Sequence, residues 1–262
     1  MDYLKKCIET LNSLIQEVEL KNRGAFKKAA SLIADKIVND DIIYIFGGGG
    51  HSNMASEEMY YRSGSLLCVR PLFMPGNHMG DTIMINEVEG LSSLLFKKYQ
   101  IKQNDVLIIS NAYGTTRMNI DIVLEAKKRN IKTIGLTGTE FPKNLPKNFR
   151  GRHSSNKNLH EEVDIFIDTC CPYGDALVKV EGHPAPVGPA STILSSVAID
   201  LLLISVTEEL IERNYEPPIL KNANVVGGVE YNEKYMKKYF KQIPELSAFW
   251  TGEGLITKDV KY

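Results

Sequence analysis

"IIYIFGGGGHSNMASEEMYYRSG", residues 42–64, is the stretch whose reading decides the fold. A short apolar run ends in four glycines. His51 and Ser52 follow, and then a helical pattern that carries Glu57 and Glu58. A strand that is apolar throughout, closed by glycine and continued as a helix, is the opening of a strand–helix–strand unit in a sheet covered on both faces.

The same rhythm recurs downstream. DIIYIFG (41–47), SLLCVRPLF (65–73), DVLIISN (105–111), KTIGLTG (132–138) and VDIFIDT (163–169) read as strands. Helical patterns over 52–62, 86–99 and 116–130 lie between them. The alternation predicts an α/β fold with a doubly wound parallel sheet of about five strands. Upstream, Leu4, Cys7, Ile8, Leu11, Leu14, Ile15 and Val18 recur at helical spacing. Residues 21–24 break that pattern, and 25–38 form a second helix, so two leading helices are expected as packing or subunit-contact elements. The apolar run 192–206 is shorter than a membrane span and contains Asp200, which makes it a buried helix. Residues 229–243 read as a final exposed helix. Three long stretches, 74–85, 140–159 and 170–189, read as loops, and loops of such length are often functional.

Bulk composition narrows the classes. Of 262 residues, 43% are hydrophobic and 24% charged, enough for an ordinary core. A net charge of -1 without a basic stripe argues against nucleic-acid binding. The N-terminus lacks a long apolar core and carries acids early, unlike a signal peptide. Cys7, Cys68, Cys170 and Cys171 show no metal spacing. A cytoplasmic protein with reduced thiols is expected, with no membrane segment, metal or cofactor.

In open α/β sheets, ligands sit at the carboxyl ends of the strands, where the glycine cluster lies. Glycine lets backbone pass close to a ligand, and the helix that follows aims its N–H groups and positive dipole end at an anion. Ser52 adds a hydroxyl near the cap. The dinucleotide fingerprint is matched at Gly48 and Gly50, but Asn53 stands in the third place and no acid ends the second strand. An arginine there, Arg70, keeps NADP as a competitor. The nucleotide P-loop requires Gly-Lys-Ser/Thr, and the chain has Gly50-His51-Ser52. The third strand ends in SNAYGTT, offering Ser110, Asn111, Tyr113, Thr115 and Thr116 around Gly114. The fourth ends with Thr137 and Thr139. Hydroxyls and backbone N–H groups can wrap a small tetrahedral anion without lysine or metal.

The order of a Gly-x-Gly-x-Ser loop, a helix with glutamates and a Ser/Thr loop after the third strand resembles the SIS (sugar isomerase) domain. GGGGHSNMASEEMYYRSG, VLEAKKRN, HSSNKNL, PYGDALVKVEG, VGPAST and NANVVGG bring it closer to the SIS subfamily of phosphosugar-binding, phosphoheptose isomerase-like proteins. The resemblance implies a flavodoxin-like sheet with a phosphosugar at the strand ends. It implies one SIS domain over 1–262, with an N-terminal helical segment (1–39) and a C-terminal extension (214–262). It also implies a homo-oligomer, dimer or tetramer, with sites completed across subunits. The third-strand loop departs from the family's Ser-x-Ser-Gly, which puts a sulfonate on a sulfosugar beside the phosphate as the anion.

Aldose–ketose isomerisation by proton transfer needs a base near C1 and C2, and carboxylates and histidines can be tuned to it. The alternative hydride shift needs metals on several carboxylates, and no such set stands out. Glu57 and Glu58 point about 100° apart on a helix, so one of them is expected to face the site. Glu58, on the Met54 face, is assigned as base. Glu181, in a glycine- and proline-bounded loop, is the second candidate. His51 lies inside the glycine loop, and His78 and His183 lie in loops expected around the site. His153 is placed to reach a neighbouring subunit and His160 on the surface. The expected binding residues are Gly49, Gly50, Ser52, Glu57, His78, Ser110, Asn111, Tyr113, Gly114, Thr115, Thr116, Thr137 and Ser191. Tyr60, Tyr61 and Tyr173 are further aromatics for a sugar site. The histidine that phosphoheptose isomerases carry on the last core helix has no counterpart here. A non-catalytic sugar sensor, a lyase or etherase using the same α-proton abstraction, and a nicotinamide reductase are the rival functions.

Overall fold

Residues 2–75 and 88–249 are described by the computed structural model. The expected strands form as β1 (Ile43–Gly47), β2 (Val69–Pro71), β3 (Val106–Ser110), β4 (Lys132–Thr137) and β5 (Ile165–Asp168). They make one five-stranded sheet in the order β2-β1-β3-β4-β5, with every pairing parallel. β1 and β3 are buried along their whole length, as continuous apolar runs require when helices cover both faces. This is the flavodoxin-like order, whose direction of winding reverses between β1 and β3.

The helices are α1 (Tyr3–Val38), α2 (Gly50–Glu57), α3 (Ser92–Tyr99), α4 (Arg117–Lys128), α5 (Glu140–Asn144), α6 (Leu159–Glu162), α7 (Ser191–Glu212) and α8 (Gly228–Tyr239). α1 and α2 both pack on α7, on one side of the sheet, and α4 packs with α3 and α6 on the other. α7 buries Leu194, Ala198, Ile199, Leu202, Leu203, Val206 and Leu210, while Asp200 is exposed. Among the described residues, no helix is long and apolar enough to cross a membrane.

The two leading helices are one. The break expected over 21–24 is absent, and α1 runs 36 residues. Gly24 sits inside it with open space where a side chain would be, so it costs only about 1 kcal/mol of propensity. Lys21 and Arg23 pair with Glu17 and Glu19 one turn back. Asn22 is 3% exposed and closes the edge of β5: its Nδ2 donates to the Asp168 carbonyl (2.8 Å) and its Oδ1 accepts from the Asp168 N–H (2.7 Å). α1 thus stands in for the sixth strand that β5 lacks.

Two further differences concern segments read as loop or surface. Residues 170–189 contain an antiparallel hairpin, β6 (Ala176–Val178) with β7 (Val187–Pro189). α8 is not wholly exposed: Tyr235, Met236 and Tyr239 are buried. The turn that follows is pinned to β2, where Arg70 Nε and Nη2 donate to the two carboxylate oxygens of Glu245 at 2.8 and 3.0 Å.

Two substitutions two residues apart on α1 should act in opposite directions. Gly24→Ala should raise unfolding stability by about 1 kcal/mol. Asn22→Leu strands both backbone groups of Asp168 and should lower it by about 1–3 kcal/mol, as read by urea denaturation.

Candidate functional site

The chain after β1 and the chain after β3 part in opposite directions, and the crevice between them is where an open α/β sheet takes a ligand. A cavity of about 120 Å³ lies there, lined by Gly48, Gly49, Gly50, His51, Ser52, Asn111, Ala112, Tyr113, Thr116 and Ser191. Three segments distant in sequence meet in it. None of the lining residues is a carboxylate.

Its walls are held by amides. Asn111 Nδ2 donates to the Gly48 carbonyl (2.8 Å), and Asn111 Oδ1 accepts from the Gly114 N–H (2.7 Å). Ser52 is 7% exposed, and its Oγ accepts from Asn111 Nδ2 and the Ala112 N–H, each at 3.4 Å. On the far side, Asn119 Nδ2 donates to the same Gly48 carbonyl (3.2 Å) and to Thr116 Oγ1 (2.6 Å). Gly48 is required by this approach, since a Cβ would sit 2.2 Å from Asn119 Nδ2. Gly49 precedes α2 at φ 103°, in a region side chains rarely enter. α2 then begins at Gly50 with its N-terminal end at the cavity, the end that favours negative charge. Ser191, at the start of α7, is fixed by Asp175, which accepts from the Ser191 N–H (2.6 Å), the Ser191 hydroxyl (2.9 Å) and the Ala190 N–H (3.0 Å).

The expected residues fall into four places. Gly49, Gly50, His51, Ser52, Asn111, Tyr113, Thr116 and Ser191 line the cavity together. Ser110, Gly114, Thr115 and Thr137 are buried and do not line it. Ser110 Oγ has no hydrogen-bond partner among the described residues. Glu57 and Glu58 line a larger space of about 530 Å³ at the other end of α2, with Met54, Tyr60, Tyr61, Arg62, Phe73 and Phe249. There Glu58 pairs with Arg62, Tyr61 stacks on Phe249 (centroids 3.9 Å apart) and Tyr60 meets Phe73 edge-on. Glu181 and His183 are exposed on the β6–β7 hairpin, where the Glu181 N–H donates to Tyr3 Oη (3.1 Å) at the start of α1. They line no pocket with the glycine loop. His78 lies outside the described residues.

Asn119 and Asp175 were not singled out from the sequence. Asn119 could have been: residues 119, 122, 123 and 126 form the buried stripe of α4, and an asparagine in such a stripe needs a partner. Asp175 leaves no such signal, because the N–H groups and the hydroxyl it accepts from lie fifteen and sixteen residues on, at Ala190 and Ser191. Burial pushes the Cys68 and Cys170 thiols up to about 12, and Cys171 is raised further by burial and the nearby Asp175 carboxylate. All three are neutral thiols at pH 7. Among the described residues, no three His, Cys, Asp or Glu side chains converge as a metal-binding group.

The SIS domain family model matches residues 6–138, slightly more than half of the chain. A UPF0309 protein of Caldanaerobacter subterraneus subsp. tengcongensis is 32% identical over 246 residues, covering 91% of this chain and 98% of its own. A UPF0309 protein of Thermoanaerobacter pseudethanolicus is 32% identical over 255 residues, covering 94% and 99%. Among solved structures, the Vibrio vulnificus NanR protein complexed with ManNAc-6P is similar in fold, with a TM-score of 0.51 and 14% identity over 92% of this chain and 70% of that one. A phosphoheptose isomerase from Francisella tularensis gives a TM-score of 0.49 and 15% identity over 79% of this chain and 100% of that one.

Gly48→Ala should force the Asn119 amide from its place and cost about 1–3 kcal/mol by overpacking, measured by urea denaturation. The expected shift is larger than for Gly64→Ala, where an added methyl meets nothing within 4 Å and only the positive φ is strained.

Proposed function

The chain belongs to the SIS domain family, and from that premise we propose that it binds an anionic sugar in the β1/β3 crevice and converts an aldose to a ketose there. One observation carries the proposal: the switch-point cavity is walled by glycine backbone, a helix N-terminal end, two serines, a threonine and an asparagine, without a carboxylate. Those are the groups that hold a tetrahedral oxyanion in the absence of a lysine.

Size divides the ligand into two parts. Pockets for whole ligands occupy ~300–1,000 Å³, and the cavity of about 120 Å³ holds a head-group only. The remainder has to lie outside it. Ser52 lines the head-group cavity and Glu58 the 530 Å³ space. Six residues of helical rise separate them, about 9 Å, which suits a six-carbon sugar laid along α2. In that space Tyr61 and Phe249 offer a stacked face for the sugar. Tyr60 Oη, buried with no hydrogen-bond partner among the described residues, offers a hydroxyl. Burial raises the pKa of Tyr60, so it stays a neutral donor at pH 7. ManNAc-6P in the NanR protein is a sugar phosphate, the ligand class proposed here.

The isomerase step then needs a base at the carbon next to the carbonyl. Glu58 takes the C2 proton and returns it to C1, while the sugar's two oxygens exchange a proton through a tyrosine hydroxyl. His51, at the head-group end of α2, is placed to act on the anion's side of the sugar. The Arg62 partner of Glu58 is 61% exposed in its side chain, so their ion pair is weak and opens at little cost when substrate enters. Glu181 and His183 enter only if a second copy carries its hairpin to this crevice. Such a copy has an apolar landing place beside the hairpin, where Leu4 and Ile8 of α1 are 83% and 58% exposed.

Sugar phosphates or sugar sulfonates should raise the melting temperature by mass action, while the same sugars without the anion should not. With the active anionic sugar, Glu58→Gln should keep that shift and lose exchange of the C2 proton with deuterium, followed by NMR, by at least about 100-fold. Exchange at the wild-type rate would remove Glu58 as the base.

A further inference from the structure

Arg152 is an arginine where arginine is rarely found. It is 6% exposed, and its Nε and Nη1 are buried without a hydrogen-bond partner among the described residues. Nη2 alone is engaged, donating to the Asn156 carbonyl (3.2 Å) and Asn158 Oδ1 (2.6 Å). None of the ion pairs between described residues includes it. The acids of its loop network are committed elsewhere: Glu161 accepts from Asn158 Nδ2 (2.9 Å), while Glu89 accepts from the Ser154 N–H and hydroxyl and lies 3.5 Å from His153 Nε2 and 3.7 Å from Arg117 Nε. A guanidinium is always charged, and a buried one without a counter-anion is costly.

Its position gives that cost a use. The loop that carries Arg152 is strapped to the back of the turn after β3. Arg152 bridges Thr116, the His153 N–H donates to the Thr115 carbonyl (3.2 Å), and the Leu159 N–H donates to the Gly114 carbonyl (2.8 Å). Thr116 is a wall of the head-group cavity. We propose that Arg152 is the fixed counter-charge of the ligand's anionic group, a buried guanidinium set behind the Gly114–Thr116 turn that makes the crevice select charged over neutral sugars. It is a positioning residue rather than a catalytic one, since it is not among the residues that line the cavity. In an environment with an effective dielectric of ~20, a full charge within about 12 Å changes the affinity of an anion about tenfold or more. Arg152 supplies the positive charge that the glycine loop lacks for want of a P-loop lysine.

The inference rests on the reading that the crevice takes an anion, and its test separates the two. Inorganic phosphate is titrated into the full-length chain in phosphate-free buffer and binding is measured by calorimetry, for the wild type, Arg152→Gln and Arg152→Lys. Arg152→Gln keeps an amide for Asn156 and Asn158 and loses the charge. Arg152→Lys keeps the charge and loses the fork. Expected is phosphate binding about tenfold or more weaker in Arg152→Gln and within about threefold of wild type in Arg152→Lys, with the wild-type response also reduced by sulfate in competition. Equal affinity in wild type and Arg152→Gln overturns the counter-charge and leaves the anion reading standing. So does a loss in Arg152→Lys as large as that in Arg152→Gln, which would mark the fork's hydrogen bonds as structural. No phosphate binding by the wild type overturns both. Should Arg152→Gln fail to fold, Arg152→Met, which keeps the length of the stem and removes the charge, takes its place: binding about tenfold or more weaker supports the counter-charge and binding equal to wild type overturns it.

Discussion

The side-chain amide of Asn111 joins two loops that the strand order would otherwise let diverge. Its Nδ2 holds the Gly48 carbonyl after β1, and its Oδ1 holds the Gly114 N–H after β3. Both bonds are buried, where an unmade one costs about 1–3 kcal/mol. Everything proposed for the site depends on this tie. With it, the glycine loop, the hydroxyl-bearing turn and the start of α7 close on a space of one head-group. Asn119 repeats the tie from the α4 side, on the same Gly48 carbonyl.

The sheet provides the rigidity such a tie needs. β1 and β3 are adjacent, parallel and fully buried, and their last residues are in register, Gly47 beside Ser110. Strain introduced at the loops therefore cannot be relieved by sliding the strands. The edge of the sheet is closed by a side chain instead of a strand, through Asn22 on Asp168. α1, packed along α7 on that side, is the helix that holds β5 in place. The two ends of α2 then address different chemistry: backbone and hydroxyls for an anion at Gly50–Ser52, carboxylates and aromatic rings at Glu57–Tyr61.

The strands were legible because each is a short apolar run flanked by turn residues, and the central pair β1 and β3 is apolar along its whole length, as burial on both faces requires. The site was legible in part for the same reason, since strand ends in this topology are ligand positions. What could not be read depends on contacts between distant residues. Lys21–Gly24 looks like a helix break until Glu17, Glu19 and Asp168 supply partners for it. The hairpin inside 170–189 has strands of three residues each, too short for an alternation pattern to show. Glu181 and His183 drew notice through glycine and proline neighbours, yet those neighbours shape the tip of that hairpin, away from the crevice. Ser110 and Thr137 carry hydroxyls at strand ends, but being inward-facing they lie beneath the turn and not on it.

The central claim is that the head-group of the ligand sits between the end of β1 and the end of β3. Backbone amide hydrogen exchange, followed residue by residue with and without a saturating sugar phosphate, tests it most directly. The N–H groups of residues 49–52 and 111–116 should gain protection together, with Ser191 following. Protection confined to the opposite ends of the strands, around Tyr44, Arg70, Lys98 and Lys102, where a space of about 450 Å³ is also open, would contradict it.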